Sequence, residues 1–148
     1  MDKRPTINEY FIDMAKLVST RATCARRKVG CVLVNDKNHV LATGYNGTAR
    51  GMPHCIEQPC DGAKYPSGKG LDKCLSLHAE QNAMLQCKDV YDIDTAYVTT
   101  SPCITCVKLL LNTSCKRIVF VEEYPHGDAK TLWEMSGREW CHYASLCE

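Results

Sequence analysis

The alternation of strand and helix signals in the C-terminal half most restricts the folds open to this chain. Residues 93–100 and 116–122 are rich in β-branched and aromatic side chains, which predicts two strands. The segment between them predicts a helix with Pro102 in its first position and Thr100 or Ser101 as its N-cap. Because strands joined through a helix pair in parallel with a right-handed crossover, we expect a β-α-β unit here.

The other regular segments extend this pattern. Apolar spacing predicts further helices at 5–22, 77–89 and 128–136. Runs rich in β-branched residues predict a hairpin formed by 28–35 and 39–45. Ser76 is the expected N-cap of the middle helix, and Gly137 is expected to end the last one. This order of elements predicts an α/β fold class, a three-layer α/β/α domain around a mixed sheet. Residues 139–148 carry no clear signal.

Length and charge restrict the function classes. A chain of 148 residues predicts a single domain spanning 1–148. Its formal net charge of +1 disfavours nucleic acid as a partner, since a nucleic-acid surface needs an excess of Lys and Arg. The small basic cluster Arg26-Arg27-Lys28 is either a solvated surface run or an anion site.

The N-terminus and the cysteine content predict the compartment and its chemistry. The first residues are polar and charged, so no signal peptide is expected. No apolar run approaches the roughly 18 residues of a membrane span, so no membrane partner is expected and the chain is predicted to be cytoplasmic. Thiols stay reduced there, and eleven cysteines therefore favour metal binding over disulfides.

A long loop at about 46–76 contains three of these cysteines. Gly, Pro, Lys and Asp dominate the stretch around Cys55, Cys60 and Cys74, and no apolar run there predicts a helix or strand. The three thiols could belong to a disulfide framework, a metal site or an active site. A loop of this length is unusual unless it is functional or fastened, and a metal ion would fasten it.

Two short motifs at predicted helix starts indicate the chemistry. Cys103 and Cys106 are three residues apart and lie on one helical face, so both can bind one ion. With His78 as third ligand, the ion keeps an open fourth position, which is typical of catalytic zinc. Glu80 is too close to His78 in sequence to be a comfortable ligand, and it can shuttle a proton between a zinc-activated water and a substrate.

Each motif alone is weak. A Cys-x-x-Cys pair at a helix start also occurs as a redox pair or as half of a structural zinc site, and a lone His-x-Glu usually has no function. The two motifs in this order, separated by one α-β unit and with Pro102 before the first cysteine, favour the catalytic zinc.

These residues resemble the zinc nucleobase deaminases, whose signature is His-x-Glu followed by Pro-Cys-x-x-Cys. The resemblance extends from about residue 5 to 137, and within that superfamily the chain is most similar to the deoxycytidylate (dCMP) deaminases. The matching segments are Arg21-Ala-Thr-Cys24, Val29-Gly30, Gly44-Tyr45-Asn46-Gly47, Gly51 to Cys55, His78-Ala-Glu-x-Asn-Ala83, Tyr97-Val98-Thr99 and Pro102-Cys-x-x-Cys106. The resemblance implies a cytidine-deaminase-like fold with a mixed sheet of about five strands.

The resemblance also implies an activity. It is the hydrolysis of dCMP to dUMP and ammonia, which supplies dUMP for thymidylate synthesis. In this reaction an activated water would attack C4 of cytosine, and Glu80 would transfer the proton. Asn46 would meet the sugar, and Arg26, Arg27 or Lys28 would meet the 5′-phosphate, with Arg26 placed first. Members of this family are activated by dCTP and inhibited by dTTP with Mg²⁺, in a homohexamer. The implied effector site contains Gly44, Tyr45, Gly47 and Gly51.

Relatives often carry a second zinc near the long loop. Cys24 has no large apolar neighbours in sequence to bury it, and with Cys55, Cys60 and Cys74 it would complete the four thiolates of a structural zinc. His54 could replace one of these cysteines, and unligated thiols are the alternative.

Three other functions compete with this one. A tRNA adenosine deaminase shares the zinc motifs but needs a basic RNA surface, which the balanced charge disfavours. Free-nucleoside cytidine deaminases usually bind zinc with cysteines alone, and His78 argues against that class. A non-catalytic zinc-stabilised binding module would have no need for Glu80 beside a three-ligand site.

Overall fold

The computed structural model describes residues 3–24, 27–53, 75–125 and 127–144. It contains four α-helices in this described part, which are α1 (Ile7–Ser19), α2 (Ala79–Gln86), α3 (Ile104–Leu111) and α4 (Asp128–Met135). The strands there are β1 (Gly30–Val34), β2 (Val40–Tyr45), β3 (Gly47–Thr48), β4 (Ser76–Leu77), β5 (Thr95–Thr100), β6 (Arg117–Glu122) and β7 (Glu139–His142). A single 3₁₀ turn, Val90–Asp92, connects α2 to β5.

The central sheet has five strands in the order β2-β1-β5-β6-β7. β1 pairs antiparallel with both β2 and β5, whereas β5, β6 and β7 run parallel to one another. The predicted hairpin and the predicted parallel β-α-β unit are therefore confirmed. So is the mixed sheet of the expected three-layer α/β/α fold.

Helices cover both faces of the sheet, as the alternation of side chains along the central strands shows. Val32 of β1, Tyr97 of β5 and Val119 of β6 pack against α1 through Phe11 and its neighbours. The residues next to them on the same strands face the opposite side and pack against α2, α3 and α4. Burial on both faces explains why β1 is apolar throughout rather than alternating.

The first helix begins where its sequence supplies a cap. The Thr6 side chain accepts the Glu9 N–H at 3.1 Å, and the Glu9 carboxylate accepts the Thr6 N–H at 2.9 Å. This capping box satisfies two backbone donors that the helix itself leaves unpaired. The Glu9 pKa is lowered because these hydrogen bonds favour the carboxylate.

The starts of α2 and α3 differ from the expectation. His78, not Ser76, is the N-cap of α2, because Ser76 belongs to β4. Cys103, rather than Thr100 or Ser101, is the N-cap of α3, and Pro102 therefore precedes the helix instead of opening it. In both cases the residue at the cap is one of the candidate metal ligands, which the search for a Ser, Thr or Asp cap overlooked.

Two pairings were missed in segments that gave no strand signal. β7 lies in the C-terminal region that carried no clear pattern, and it adds to the sheet beside β6. Gly47–Thr48 and Ser76–Leu77 form a two-stranded antiparallel ladder at the borders of the predicted loop. Such short strands are defined by their partners rather than by their own side chains.

The cysteines of the described residues are mostly free thiols. Cys31, Cys106 and Cys115 are fully buried, and Cys31 and Cys115 belong to the hydrophobic core. Cys141 of β7 is disulfide-bonded; the sequence assigned no role to this cysteine. Among the described residues no helix has the length and apolar character needed to cross a membrane.

Gly44 in β2 is required by the close approach of α2 to the sheet. A Cβ built on Gly44 would lie 2.9 Å from the Cα of Ala83 and still closer to the Ala79 carbonyl oxygen and the Ala83 nitrogen. All three are backbone atoms of one helix, which cannot move independently of it. Gly44 together with the small residues Ala79 and Ala83 therefore sets the position of α2.

We predict that Gly44→Ala destabilises the fold by about 1–3 kcal/mol, because the added methyl group forces α2 away from β2. The lowered midpoint of urea unfolding measures this change. Gly127→Ala is the matched control, since no atom lies within 4 Å of its added Cβ. Equal midpoints for the two variants would contradict the packing explanation.

Candidate metal centre

The N-termini of α2 and α3 meet at the carboxyl end of β5. β5 leads directly into the Ser101-Pro102-Cys103 segment that starts α3. α2 is followed by a short connection into the start of β5, so it runs back along that strand and its own N-terminus lies at the same end. Two helix N-termini at one point favour negative charge there.

Three candidate ligands come together at this point. The Nδ1 atom of His78 lies 3.2 Å from the Sγ atom of Cys106 and 3.4 Å from the Sγ atom of Cys103. All three donor atoms lie within 4.8 Å of one another. Among the described residues this is the one group of three or more metal-ligating side chains with such spacing.

The electrostatics of the two thiols differ. The Cys103 pKa is lowered to about 4, chiefly because its sulfur accepts a hydrogen bond from Cys106 and also interacts with His78. The same hydrogen bond and burial raise the pKa of Cys106. The hydrogen bond to Cys103 also raises the pKa of His78. Cys103 is therefore the more acidic of the two thiols.

Glu80 lies in the first turn of α2 beside these groups. Its side chain is buried, and burial raises its pKa to about 7, although the nearby His78 opposes the shift. A buried carboxyl without an ion pair is costly, and such groups concentrate at functional sites. Glu80 therefore has the surroundings expected of a proton-transfer group rather than of a surface residue.

The residues present fit a zinc ion by the chemistry of their donor atoms. Thiol sulfur and imidazole nitrogen are the donors that Zn²⁺ prefers, and three of them leave one coordination position open. The lowered pKa of Cys103 favours the thiolate form that a metal requires. His78 and Cys103 are both helix N-caps, so the backbone fixes where each side chain starts.

Two polar residues of α2 to which the sequence motifs assigned no role hold this arrangement. The Gln81 side chain accepts the His78 backbone N–H at 2.8 Å, and the Asn82 side chain donates to the Tyr45 carbonyl oxygen at 2.8 Å. The signal for Gln81 was present in the sequence, because Gln three residues after an N-cap commonly reaches back to it. Asn82 belongs to the matching segment His78-Ala-Glu-x-Asn-Ala83, but its hydrogen bond to Tyr45 was not predictable because that partner is distant in sequence.

Asn46, the expected sugar-binding residue, is buried and already engaged with the backbone. Its side-chain oxygen accepts the Val29 N–H at 2.7 Å, and its side-chain nitrogen donates to the Arg27 carbonyl oxygen at 2.7 Å. The amide thereby orders the segment that precedes β1. Arg26, the residue placed first for the 5′-phosphate, lies outside the described residues.

The expected effector residues have structural reasons for their identity. Gly44 packs against α2, and a Cβ on Gly47 would lie 2.7 Å from the Thr23 hydroxyl oxygen. Gly51 has a φ of +86°, which L side chains rarely adopt, and Tyr45 is exposed. Effector binding at these four residues stays a prediction.

Of the expected second-zinc ligands, only Cys24 lies within the described residues. Its thiol is free and buried, and it is close enough to His78 to contribute to the raised pKa of that imidazole. Cys55, Cys60, Cys74 and the alternative His54 lie outside the described residues, as does most of the predicted loop at 46–76.

Known proteins resemble the chain over most of its length. The family model described as "Cytidine and deoxycytidylate deaminase zinc-binding region" matches residues 5–122. The deoxycytidylate deaminase of Schizosaccharomyces pombe is 43% identical over 125 residues, covering 82% of this chain and 38% of the relative. The deoxycytidylate deaminase of Mycobacterium phage D29 is 39% identical over 129 residues, covering 81% of this chain and 98% of the phage protein.

A solved structure is similar in fold. It is the dCMP deaminase of cyanophage S-TIM5 in complex with dCMP and dUMP, with a TM-score of 0.75 and 30% sequence identity. The match covers 95% of this chain and 99% of that one. The chain thus spans about two fifths of the yeast relative's length but nearly all of each phage protein.

Proposed function

Because the chain belongs to the cytidine and deoxycytidylate deaminase family, we propose that it hydrolyses dCMP to dUMP and ammonia, supplying dUMP for thymidylate synthesis. The observation that carries the proposal is the cluster of His78, Cys103 and Cys106 with buried Glu80 beside it. The names of the yeast and phage relatives and the dCMP and dUMP bound to the cyanophage enzyme support this substrate.

The chain's own residues divide the work of the reaction. His78, Cys103 and Cys106 would hold a zinc ion, which supplies an activated water as the nucleophile when bound. Glu80 would take one proton of the water and deliver it to N3 of the cytosine ring. It would then take the proton of the hydroxyl group added at C4 and give it to the departing amino nitrogen. The bond from C4 to nitrogen breaks, a bond from C4 to oxygen forms, and ammonia leaves.

Substrate positioning is assigned to the segment before β1. Asn46 meets the sugar and Arg26 meets the 5′-phosphate in this proposal. The hydrogen bonds of Asn46 to Arg27 and Val29 support it, because they order the main chain directly after Arg26. A substrate that contacts Asn46 would therefore lie next to a cationic segment.

A second, structural zinc is proposed to fasten the loop at about 46–76 within a single domain spanning 1–148. Its ligands would be Cys24, Cys55, Cys60 and Cys74, with His54 as the alternative for one of them. The buried free thiol of Cys24 near His78 supports this site. An ion there would restrain the chain that leads into the catalytic helix.

Regulation by nucleotides is proposed for the segment from Gly44 to Gly51, with dCTP and Mg²⁺ activating and dTTP inhibiting a homohexamer. The hydrogen bond from Asn82 to the Tyr45 carbonyl supports a connection to catalysis. It joins this segment to α2 only two residues from Glu80. A ligand that moves Tyr45 would thereby act on the helix that carries His78 and Glu80.

Substrate specificity is tested with the zinc-loaded protein and four substrates: dCMP, deoxycytidine, CMP and an adenosine-bearing tRNA loop. We expect ammonia release from dCMP at the highest kcat/KM, because the 5′-phosphate and the deoxyribose are both recognised. Turnover of the RNA alone would overturn the proposed function and favour a tRNA adenosine deaminase. No turnover with bound zinc would favour a binding module.

For the proton-transfer role, we predict that Glu80→Gln lowers kcat on dCMP by about 10²–10⁴-fold while zinc remains bound. The amide has nearly the same shape but cannot accept and return a proton. Glu134→Gln, at an exposed position of α4, is the control for the same chemical change, and it should retain full activity. A fully active Glu80→Gln enzyme would remove Glu80 from the mechanism.

Zinc content per chain tests both metal sites together. We expect two ions in the unmodified protein, one in Cys103→Ser and one in Cys24→Ser, measured by elemental analysis of dialysed protein. Cys87→Ser is the control, because this free thiol lies at the end of α2 and belongs to neither set. A Cys103→Ser protein with two ions would contradict the catalytic ligand set, and a Cys24→Ser protein with two would contradict the structural one.

The regulatory proposal predicts a change in the dependence of rate on dCMP concentration. Added dCTP with Mg²⁺ should lower the dCMP concentration needed for half-maximal rate, and dTTP should raise it. Both effects should weaken in Gly51→Ala, which strains a turn with positive φ. Rates that do not change when either nucleotide is added would refute allosteric control, but they would not contradict the proposed deaminase activity.

A further inference from the structure

Ser101 lies where β5 ends and the turn into α3 begins, two residues before Cys103. Its side chain is buried, with 2% of the residue exposed. Its N–H donates to the Glu122 carbonyl oxygen at 2.8 Å, and its hydroxyl oxygen accepts the Tyr124 N–H at 2.6 Å. Two hydrogen bonds thus hold this one residue to the end of β6 and the chain that follows.

The hydroxyl of Ser101 takes the place of a main-chain acceptor. Thr100 pairs with Glu122 in the parallel ladder of β5 and β6, so Ser101 comes opposite Glu123. A continued ladder would join the Tyr124 N–H to the Ser101 carbonyl oxygen. That N–H donates to the Ser101 side chain instead. The ladder therefore ends here with its last N–H paired, and the main chain is free to leave the sheet.

The residues after Ser101 carry this departure directly to a metal ligand. Pro102 has no N–H to extend the ladder, and it restricts the residue before it to extended backbone. Cys103 is also extended, with φ of −72° and ψ of 172°, and its carbonyl oxygen accepts the Val107 N–H at 2.9 Å. Only Pro102, whose φ is fixed, separates Ser101 from Cys103. A shift of Ser101 is therefore passed on to Cys103.

The chain that Ser101 holds is itself anchored. The Glu123 carboxylate accepts the Nε1–H of Trp140 at 3.1 Å. The Trp140 ring packs against Phe120, with 5.2 Å between the ring centres, and it contacts the hydrophobic core. The residues after β6 are thereby fixed to β7. The hydroxyl of Ser101 is bonded to a restrained segment, so it can restrain the turn in its own right.

Loss of the hydroxyl would leave two outcomes for the Tyr124 N–H. The N–H stays unpaired in a partly buried place, which is costly, or the carbonyl oxygen of residue 101 turns to accept it. The second outcome lengthens the ladder by one bond and keeps the chain along the direction of β5. Cys103 would then move away from His78 and Cys106, whose donor atoms all lie within 4.8 Å of one another and of its own.

The other segment that carries a ligand has a comparable arrangement. The Gln81 side chain accepts the His78 N–H at 2.8 Å, which fixes the main chain at the start of α2. Ser101 does the same for the main chain before α3. Groups that orient metal ligands without touching the ion typically change metal affinity or activity 10–100-fold when they are mutated.

We propose that Ser101 is a positioning residue for the metal centre. Its hydroxyl ends the β5–β6 ladder at the point from which Cys103 and Cys106 meet His78. It acts through Cys103 and touches neither the ion nor the substrate. This inference deepens the proposed function and rests on its zinc site.

Two variants of equal shape isolate the hydroxyl. Ser101→Thr keeps an acceptor at this position, and Ser101→Val has the same branched shape without one. Both are made in a Cys24→Ser background, so that the proposed second zinc does not contribute, and chelator competition gives the Kd of zinc. We expect the Val variant to bind zinc about 10–100-fold more weakly than the Thr variant. Equal values of Kd would overturn the proposal.

Ser101→Ala, in the same background, avoids the added methyl groups, and Ser136→Ala is its matched control. The Ser136 hydroxyl also makes a 2.6 Å hydrogen bond to the main chain, at the Trp133 carbonyl oxygen where α4 ends. Each variant loses one such bond, so each can lose stability. Only Ser101→Ala should weaken zinc binding, again by about 10–100-fold. The same zinc affinity in both variants would contradict the positioning role.

Cobalt substitution reports ligand geometry apart from affinity. At saturating Co²⁺, the visible absorption bands of Ser101→Thr and Ser136→Ala should coincide with those of the parent protein. The bands of Ser101→Ala and Ser101→Val should be shifted or weakened, because they depend on how the ligands surround the ion. Unchanged bands in these two variants would overturn the proposal. None of these measurements uses dCMP, so failure of this role is distinguishable from failure of the deaminase activity.

Discussion

The close packing of α2 against the hairpin strands is the constraint on which the site depends. Gly44 has no side chain, and Ala79 and Ala83 have small ones, so the helix can lie directly on the sheet. The short connection from α2 into β5 then makes the helix run back along that strand. Its N-terminus reaches the carboxyl end of β5, where α3 begins, and His78 meets Cys103 and Cys106 there.

The side chains collected at this point would be an unfavourable choice for stability alone. An imidazole and two thiols lie together with a buried carboxyl near them, and burial raises the pKa of Glu80 to about 7. Apolar residues of similar size would avoid the cost of desolvating these groups. A fold that keeps them in place, with Gln81 holding the His78 backbone, therefore indicates selection for chemistry.

The fold was largely predictable because its main elements carry strong local signals. Buried strands such as β5 are rich in β-branched residues, and α1 has both an apolar face and a capping box. The helix starts were less predictable, since His78 and Cys103 occupy cap positions that Ser, Thr or Asp usually fill. β7 was missed because a four-residue strand is stabilised by its pairing with β6 rather than by its own sequence.

The sequence by itself determined the chemistry of the site, because the spacing of Cys103 and Cys106 places two thiols on one helical face and His78-x-Glu80 supplies an imidazole and a carboxyl. It also determined the class of fold through the order of strands and helices. Only the tertiary structure decided that Glu80 is buried and that Asn46 orders the chain before β1. The same is true of Ser101, whose hydroxyl oxygen accepts the Tyr124 N–H beyond the end of the β5–β6 ladder. These properties depend on contacts between residues far apart in sequence, which no local pattern encodes.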